Sequence, residues 1–206
     1  MIGIVDYGMG NRRSVVKAFE RVGAHVELTS DESTLERANG LVLVGVGAFP
    51  EAMRRLTASG LDALIRARHD AGVPLIGLCL GMQLLFERSE EHEGAEGLGL
   101  LGGEVRRLDP QGRKLPHIGW NLVRRRRDSR LLEGVPDPVA LYHVHTFVAH
   151  PTDPEDVLAV GEYGAEFVSL VERGTVFGAQ CHPEKSSTHG LDLLRNFAAI
   201  CQAVHA

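Results

Sequence analysis

What the 206-residue chain lacks narrows its function first. Cysteine is scarce: three residues, an odd number at no paired spacing, exclude a disulfide framework and point to a reducing compartment. No apolar run approaches the ~20 residues of a membrane-spanning helix. The start, Met1-Ile2-Gly3-Ile4-Val5-Asp6, has neither the basic opening nor the long apolar stretch of a signal peptide, so the expected location is cytoplasmic. A basic surplus is also missing. Lys and Arg number 22 against 27 Asp and Glu, a net charge of −5, which argues against nucleic acid as the main partner. Neither an internal repeat nor a linker is visible, so residues 1–206 are expected to form one domain. With 44% hydrophobic and 24% charged residues, the chain has enough apolar material for one well-buried core.

The chain opens as strands alternating with helices. Ile2–Val5 is a short apolar strand ending in the glycine-rich Asp6-Tyr7-Gly8-Met9-Gly10-Asn11, and Arg12–Val22 carries Val15, Val16, Phe19 and Val22 at helical spacing. Gly8-x-Gly10 has the start of a dinucleotide fingerprint, but its third glycine would fall at Arg13, so a tight βα turn is the better reading. Val26–Leu28 reads as a strand, Ser33–Asn39 as a short helix, and Leu41–Val44 as a strand apolar on both faces. Gly45-Val46-Gly47-Ala48-Phe49-Pro50 follows, then helical material over Glu51–Ala71 with Gly60 a break. This alternation predicts a doubly wound, mostly parallel sheet of flavodoxin-like α/β class, with helices on both faces and its site beyond the carboxyl ends of the strands.

Past Glu87 the texture becomes β-rich. Ser89–Glu96 reads as a charged loop. Strands are expected at Gly103–Leu108, His117–Val123, Ala140–Val148, Val157–Tyr163, Phe167–Glu172 and Val176–Ala179, as an antiparallel or mixed extension of the sheet. The four arginines Arg124–Arg127 suit a solvated hairpin edge better than a nucleic-acid patch. A last helix runs from Gly190 to Val204, with Leu191, Leu194, Phe197, Ala198 and Cys201 on its inner side.

Chemistry concentrates at two places. Pro74–Phe86 begins as a buried strand, passes through Gly77-Leu78-Cys79-Leu80-Gly81, and continues with apolar residues at helical spacing. Such a strand-to-helix turn strains one residue and pushes its side chain out above the sheet, at the N-terminus of a helix whose dipole favours a thiolate. Alone, the pentapeptide fits an ordinary buried thiol equally well. The second place decides the matter: Val176–Ala179 ends in Gln180-Cys181-His182-Pro183-Glu184-Lys185-Ser186. In extended chain His182 and Glu184 point to the same side, giving a base and its acidic partner. Cys79, His182 and Glu184 supply nucleophile, base and orienting group. The oxyanion donors of such an elbow are the amide of Leu80 and one from the loop after the third strand, here Val46 or Gly47. His143-x-His145 also has the look of a metal pair, yet no cysteine or carboxylate completes it, and no metal is expected.

Together these segments resemble the class I, triad-type glutamine amidotransferases, over essentially the whole chain. Asp6–Asn11, His117-Ile118-Gly119-Trp120-Asn121 and Tyr142-His143-Val144-His145-Thr146-Phe147 make the resemblance closer to the glutaminase subunits of imidazole glycerol phosphate synthase. The resemblance implies that Cys79 attacks the side-chain amide of glutamine and forms a γ-glutamyl thioester, with no cofactor. It implies that Gly47, Gln83, Thr146 and Phe147 hold the substrate. The implied partner is a (βα)8-barrel cyclase subunit that consumes the ammonia, with Trp120 and Lys185 toward that interface. The sequence departs from the family at Val44, where proline is usual, and at Cys181, often phenylalanine. Rival readings are another class I amidotransferase, a free-standing γ-glutamyl hydrolase of the same fold, and a redox or binding module using the elbow thiol.

Overall fold

The computed structural model of the chain describes residues 1–203. The first half runs β1 (Ile2–Val5), α1 (Arg12–Arg21), β2 (Val26–Thr29), α2 (Glu32–Glu36), β3 (Gly40–Gly45), α3 (Phe49–Ala58), α4 (Leu61–Asp70), β4 (Leu75–Cys79) and α5 (Leu80–Gln83). The second half is β5 (Phe86–Ser89), β6 (Ala95–Glu96), β7 (Leu101–Arg107), β8 (His117–Arg125), β9 (Val139–His145), β10 (Phe147–Pro151), β11 (Val157–Tyr163), β12 (Ala165–Arg173), β13 (Val176–Ala179) and α6 (Ser187–Ala203).

Local chemistry sets the boundaries. Asp31 caps α2, its carboxylate accepting from the Thr34 amide at 2.9 Å. Gly60, at φ +73°, separates α3 from α4 as anticipated, and Pro50 fits the first turn of α3. The expected end of the last helix, Val204, lies outside the described residues.

Nine strands form one sheet in the order β2-β1-β3-β4-β13-β12-β11-β8-β9. The pairs from β2 to β13 are parallel, and those from β13 to β9 are antiparallel. Every residue of β3 and β4 is buried, because both faces are covered. On one face α1 and α6 pack Phe19 and Phe197 edge-on at 6.4 Å, with Cys201 in the same core. On the other, α3 and α4 bury Phe49, Leu56, Leu61 and Ile65.

Four expectations need correction. The β-rich half is not solely an extension of the main sheet, since β10, β7, β5 and β6 form a separate four-stranded sheet. The apolar run Ala140–Val148 is two strands, β9 in the main sheet and β10 in the second, with the chain crossing over at Thr146. A period-2 pattern carries no mark of a change of partner. Ser89–Glu96 is not all loop, as its two ends pair as β5 and β6. Finally, Arg124–Arg127 is no free sheet edge: β8 lies between β11 and β9, and three of the four arginines face carboxylates. Arg126 pairs with Glu166 at 2.6 Å, Arg127 with Glu172 at 3.5 Å, and Arg125 faces Asp137 at 3.8 Å.

Candidate active site

The two glycines around Cys79 explain the elbow. A Cβ on Gly77 would meet the Gly81 carbonyl carbon at 2.5 Å and the Met82 nitrogen at 2.6 Å. One on Gly81 would strike the Leu43 carbonyl of the neighbouring strand. The chain can therefore turn this tightly only with hydrogen at both positions. Cys79 sits between them at φ +54°, ψ −112°, a conformation rarely adopted by a residue with a side chain. The strain aims its thiol at the rim of the sheet.

The helix that follows is shorter than the apolar spacing suggested. α5 is one turn, because Leu84, Leu85 and Phe86 are buried on all sides and their carbonyls serve a different segment. Leu98 donates to Leu84, Leu101 to Leu85, and Gly99 to Phe86. A single turn aligns few peptide dipoles behind the sulfur, so the dipole contributes less than a full helix would.

His182 follows the end of β13 and lines the same cavity as Cys79. Its backbone amide donates to the Tyr142 carbonyl at 2.8 Å, while the Ser186 hydroxyl donates to the His182 carbonyl at 2.7 Å and accepts from the Tyr142 amide at 2.9 Å. The segment is thereby fastened to β9. Here the extended-chain expectation is wrong: Pro183–Lys185 is a 3-10 turn, with Pro183 at its start. That turn brings Glu184 Oε1 to 2.9 Å from His182 Nδ1. Burial works against a charged imidazole at His182, but the hydrogen-bonding Cys79 sulfur and the Glu184 carboxylate outweigh it and raise the pKa to about 10. The arrangement therefore favours the charged imidazolium form of His182. Cys181 takes no part. It is fully buried in the core, and burial raises its thiol pKa far above the usual range.

A cavity of about 290 Å³ opens in front of the thiol. Its walls bring together Val46, Gly47, Cys79, Leu80, Gln83, Thr146, Phe147, His182 and Lys185, all singled out in the sequence. Glu184 stands behind His182, and Trp120 lies away from the cavity. Val44, in the usual place of proline, stays in the ladder opposite Leu78, and Gly45 pairs with Cys79. The free loop thus begins at Val46, which is 42% exposed, with Gly47 at φ +110°. A Cβ on Gly45 would meet the Tyr7 hydroxyl at 2.6 Å, so three segments converge tightly beside the elbow.

Two polar residues here escaped sequence reasoning. Glu91 lines the cavity, and its Oε2 accepts from the Phe49 amide at 2.8 Å. Gln180 is fully buried and accepts from Gln83 at 2.9 Å through Oε1, while its Nε2 lies 3.9 Å from the Cys79 sulfur. Glu91 sat in a charged stretch resembling any solvated loop. Gln180 stood two residues before the His-Pro-Glu pattern, adjoining Cys181. Neither has a spacing signature.

Trp120 is 55% exposed, flanked along β8 by Ile118 and Leu122 at 59% each, and so is no core aromatic. His143 and His145, the imagined metal pair, use their ring nitrogens otherwise. His143 engages the Ser169 hydroxyl at 2.9 Å and the Leu141 carbonyl at 3.1 Å, and His145 contacts His117 and the Phe147 carbonyl. Among the described residues no cluster of three or more ligand-type side chains is arranged to hold a metal ion. No helix among them is long and apolar enough to cross a membrane.

Comparison with known proteins agrees with this geometry. Residues 3–201 match the family "Glutamine amidotransferase class-I". The chain is 50% identical over 199 residues to imidazole glycerol phosphate synthase subunit HisH of Moorella thermoacetica, covering 97% of this chain and 94% of that one. It is 48% identical over 205 residues to the HisH subunit of Geobacillus kaustophilus, covering 97% of each. Among solved structures, the backbone is similar to a glutamine amidotransferase (TM-score 0.77, 21% identity, 98% of both chains) and to PurLQS from Thermotoga maritima (TM-score 0.74, 18% identity, 98% of both). At those identities the two structures speak for the fold alone. By sequence, the chain belongs to the class I glutamine amidotransferases.

Proposed function

We infer that the chain is the glutaminase subunit of imidazole glycerol phosphate synthase, releasing ammonia from glutamine for histidine biosynthesis. The observation that carries this reading is that Cys79 and His182 line one cavity, with the Glu184 carboxylate 2.9 Å behind the histidine ring. In the proposed sequence the Cys79 thiolate attacks the γ-amide carbon of glutamine. The oxyanion is held by the Leu80 amide and one from Val46 or Gly47. Imidazolium His182 gives its proton to the nitrogen, the C–N bond breaks, and ammonia leaves a γ-glutamyl thioester. Neutral His182 then takes a proton from water as that water attacks the thioester, and glutamate departs with the sulfur again a thiolate. Glu184 orients the ring and stabilises its charge. Gly47, Gln83, Thr146 and Phe147 hold the substrate, and the Glu91 carboxylate is placed to face its ammonium group.

Ammonia in neutral water is mostly protonated and no longer nucleophilic, so it must pass directly to its acceptor. We assign that acceptor site to a (βα)8-barrel cyclase subunit, which uses a phosphoribulosyl-formimino carboxamide nucleotide to give imidazole glycerol phosphate and an aminoimidazole carboxamide ribotide. The exposed stripe Ile118, Trp120 and Leu122 supports a docking face there, and Lys185 lines the cavity. The whole chain then works as one domain in the cytoplasm, in a heterodimer. Glutaminase activity of the isolated chain is expected to be low and to rise by roughly a hundredfold when the cyclase and its nucleotide bind. Steady-state glutamate release with and without both checks this. Equal rates would favour a free-standing γ-glutamyl hydrolase.

A further inference from the structure

We propose that His117 is a positioning residue for glutamine binding: held by Asn121, it acts through His145 on the Phe147 carbonyl that orients Gln83. This rests on the glutaminase reading and extends it past His145, on the cavity wall, to His117 and Asn121, which do not line the cavity.

The argument is a count of donors and acceptors. Phe147 O is an acceptor only, and two groups approach it: Gln83 Nε2 at 3.0 Å and His145 Nδ1 at 3.2 Å. His145 must therefore carry its proton on Nδ1. Burial lowers its pKa to about 3, so the ring is neutral and Nε2 is an acceptor. That nitrogen lies 2.9 Å from His117 Nδ1, which must then be the donor. Burial also lowers His117, to about 4, leaving its Nε2 as an acceptor for Asn121 Nδ2 at 3.4 Å. Asn121 is fixed in turn by donating to the Glu162 carbonyl at 2.8 Å. Every proton in the chain Asn121, His117, His145, Phe147 O is thus assigned a direction. His117 is 2% exposed, and Tyr163 stacks on its ring at 4.1 Å, so it has no freedom to turn.

The same count fixes Gln83. Its two amide hydrogens go to Phe147 O and to Gln180 Oε1 at 2.9 Å. A flipped amide would set its oxygen against two acceptors. Gln83 is thereby held with its carbonyl oxygen free, on the wall of the cavity, as an acceptor for a ligand N–H. Phe147 is the first residue of β10, next to the crossover, where the Thr146 carbonyl accepts from the Leu108 amide at 2.9 Å. Removing the donor at His117 leaves His145 Nε2 unpaired in a buried site. Its ring then gains by turning, which releases the Phe147 carbonyl and with it the orientation of Gln83.

The test uses the complex with the cyclase subunit and steady-state glutaminase kinetics. His117→Leu is expected to raise KM for glutamine about tenfold while kcat at saturation changes by no more than about twofold. His117→Asn places an amide N–H where Nδ1 was and is expected to recover most of the loss. An unchanged KM in His117→Leu overturns the proposal. So does a matching fall in activity and melting temperature in both variants. In the unaltered chain, nitrogen-15 NMR is expected to show His117 and His145 as neutral Nδ1–H tautomers, and an Nε2–H form of either ring would also overturn it. Should the unaltered complex fail to hydrolyse glutamine, the glutaminase reading falls, while the tautomer spectrum still decides this proposal.

Discussion

Cys79→Ala is expected to abolish glutamine hydrolysis, with a loss in kcat of at least about 10⁴-fold, while synthesis fed by free ammonia through the complex proceeds at its normal rate. The size of the loss follows from the mechanism. Without the sulfur no thioester can form, and the remaining groups can only bind and polarise the amide. Alanine keeps a Cβ at φ +54°, so the strained turn survives and the effect isolates the thiol. Retained ammonia-dependent synthesis would show that the fold and docking face are intact. The two rates, measured on one preparation, separate chemistry from assembly.

Gly81→Ala is expected to be the most destabilising single-methyl change in the described chain, at about 3–5 kcal/mol. The added Cβ would lie 2.7 Å from the carbonyl carbon of Leu43 and closer still to its oxygen. β3 cannot retreat, since it is paired with β1 on one side and β4 on the other, and every one of its residues is buried. Denaturant unfolding should show a lower midpoint at unchanged slope. In a chain of this size, a change that large corresponds to about 10 °C in Tm. A shift within about 0.5 kcal/mol, the range of ordinary surface substitutions, would mean that the elbow is looser than its geometry implies. The same variant should lose glutaminase activity, because the thiol's aim depends on that approach.

The parts of the site that sequence made legible are those whose chemistry has local spacing. The Gly77–Gly81 elbow needs two small residues flanking one strained one, and His182 and Glu184 reach one another within a turn of chain. The fully apolar β3 likewise announces a strand covered on both faces. What remained hidden depends on partners distant in sequence. Whether Leu84–Phe86 continues a helix is settled by residues 97–101, which take those carbonyls. The crossover at Thr146 is invisible because β9 and β10 have the same alternation while pairing with different sheets. Gln180 and Gln83 meet across 97 positions, and His117 and His145 across 28. Hydrogen bonds of that kind impose no periodicity. His182 and Glu184 do lie within hydrogen-bond distance, but a 3-10 turn rather than an extended strand brings them together.

The most direct test is to acid-quench the complex during glutamine turnover and locate the covalent intermediate by peptide mass spectrometry. One γ-glutamyl group on the peptide carrying Cys79, present in the unaltered chain and absent in Cys79→Ala, is the predicted result. Turnover that continues in Cys79→Ala, or an adduct on Cys181 or Cys201 instead, would contradict it.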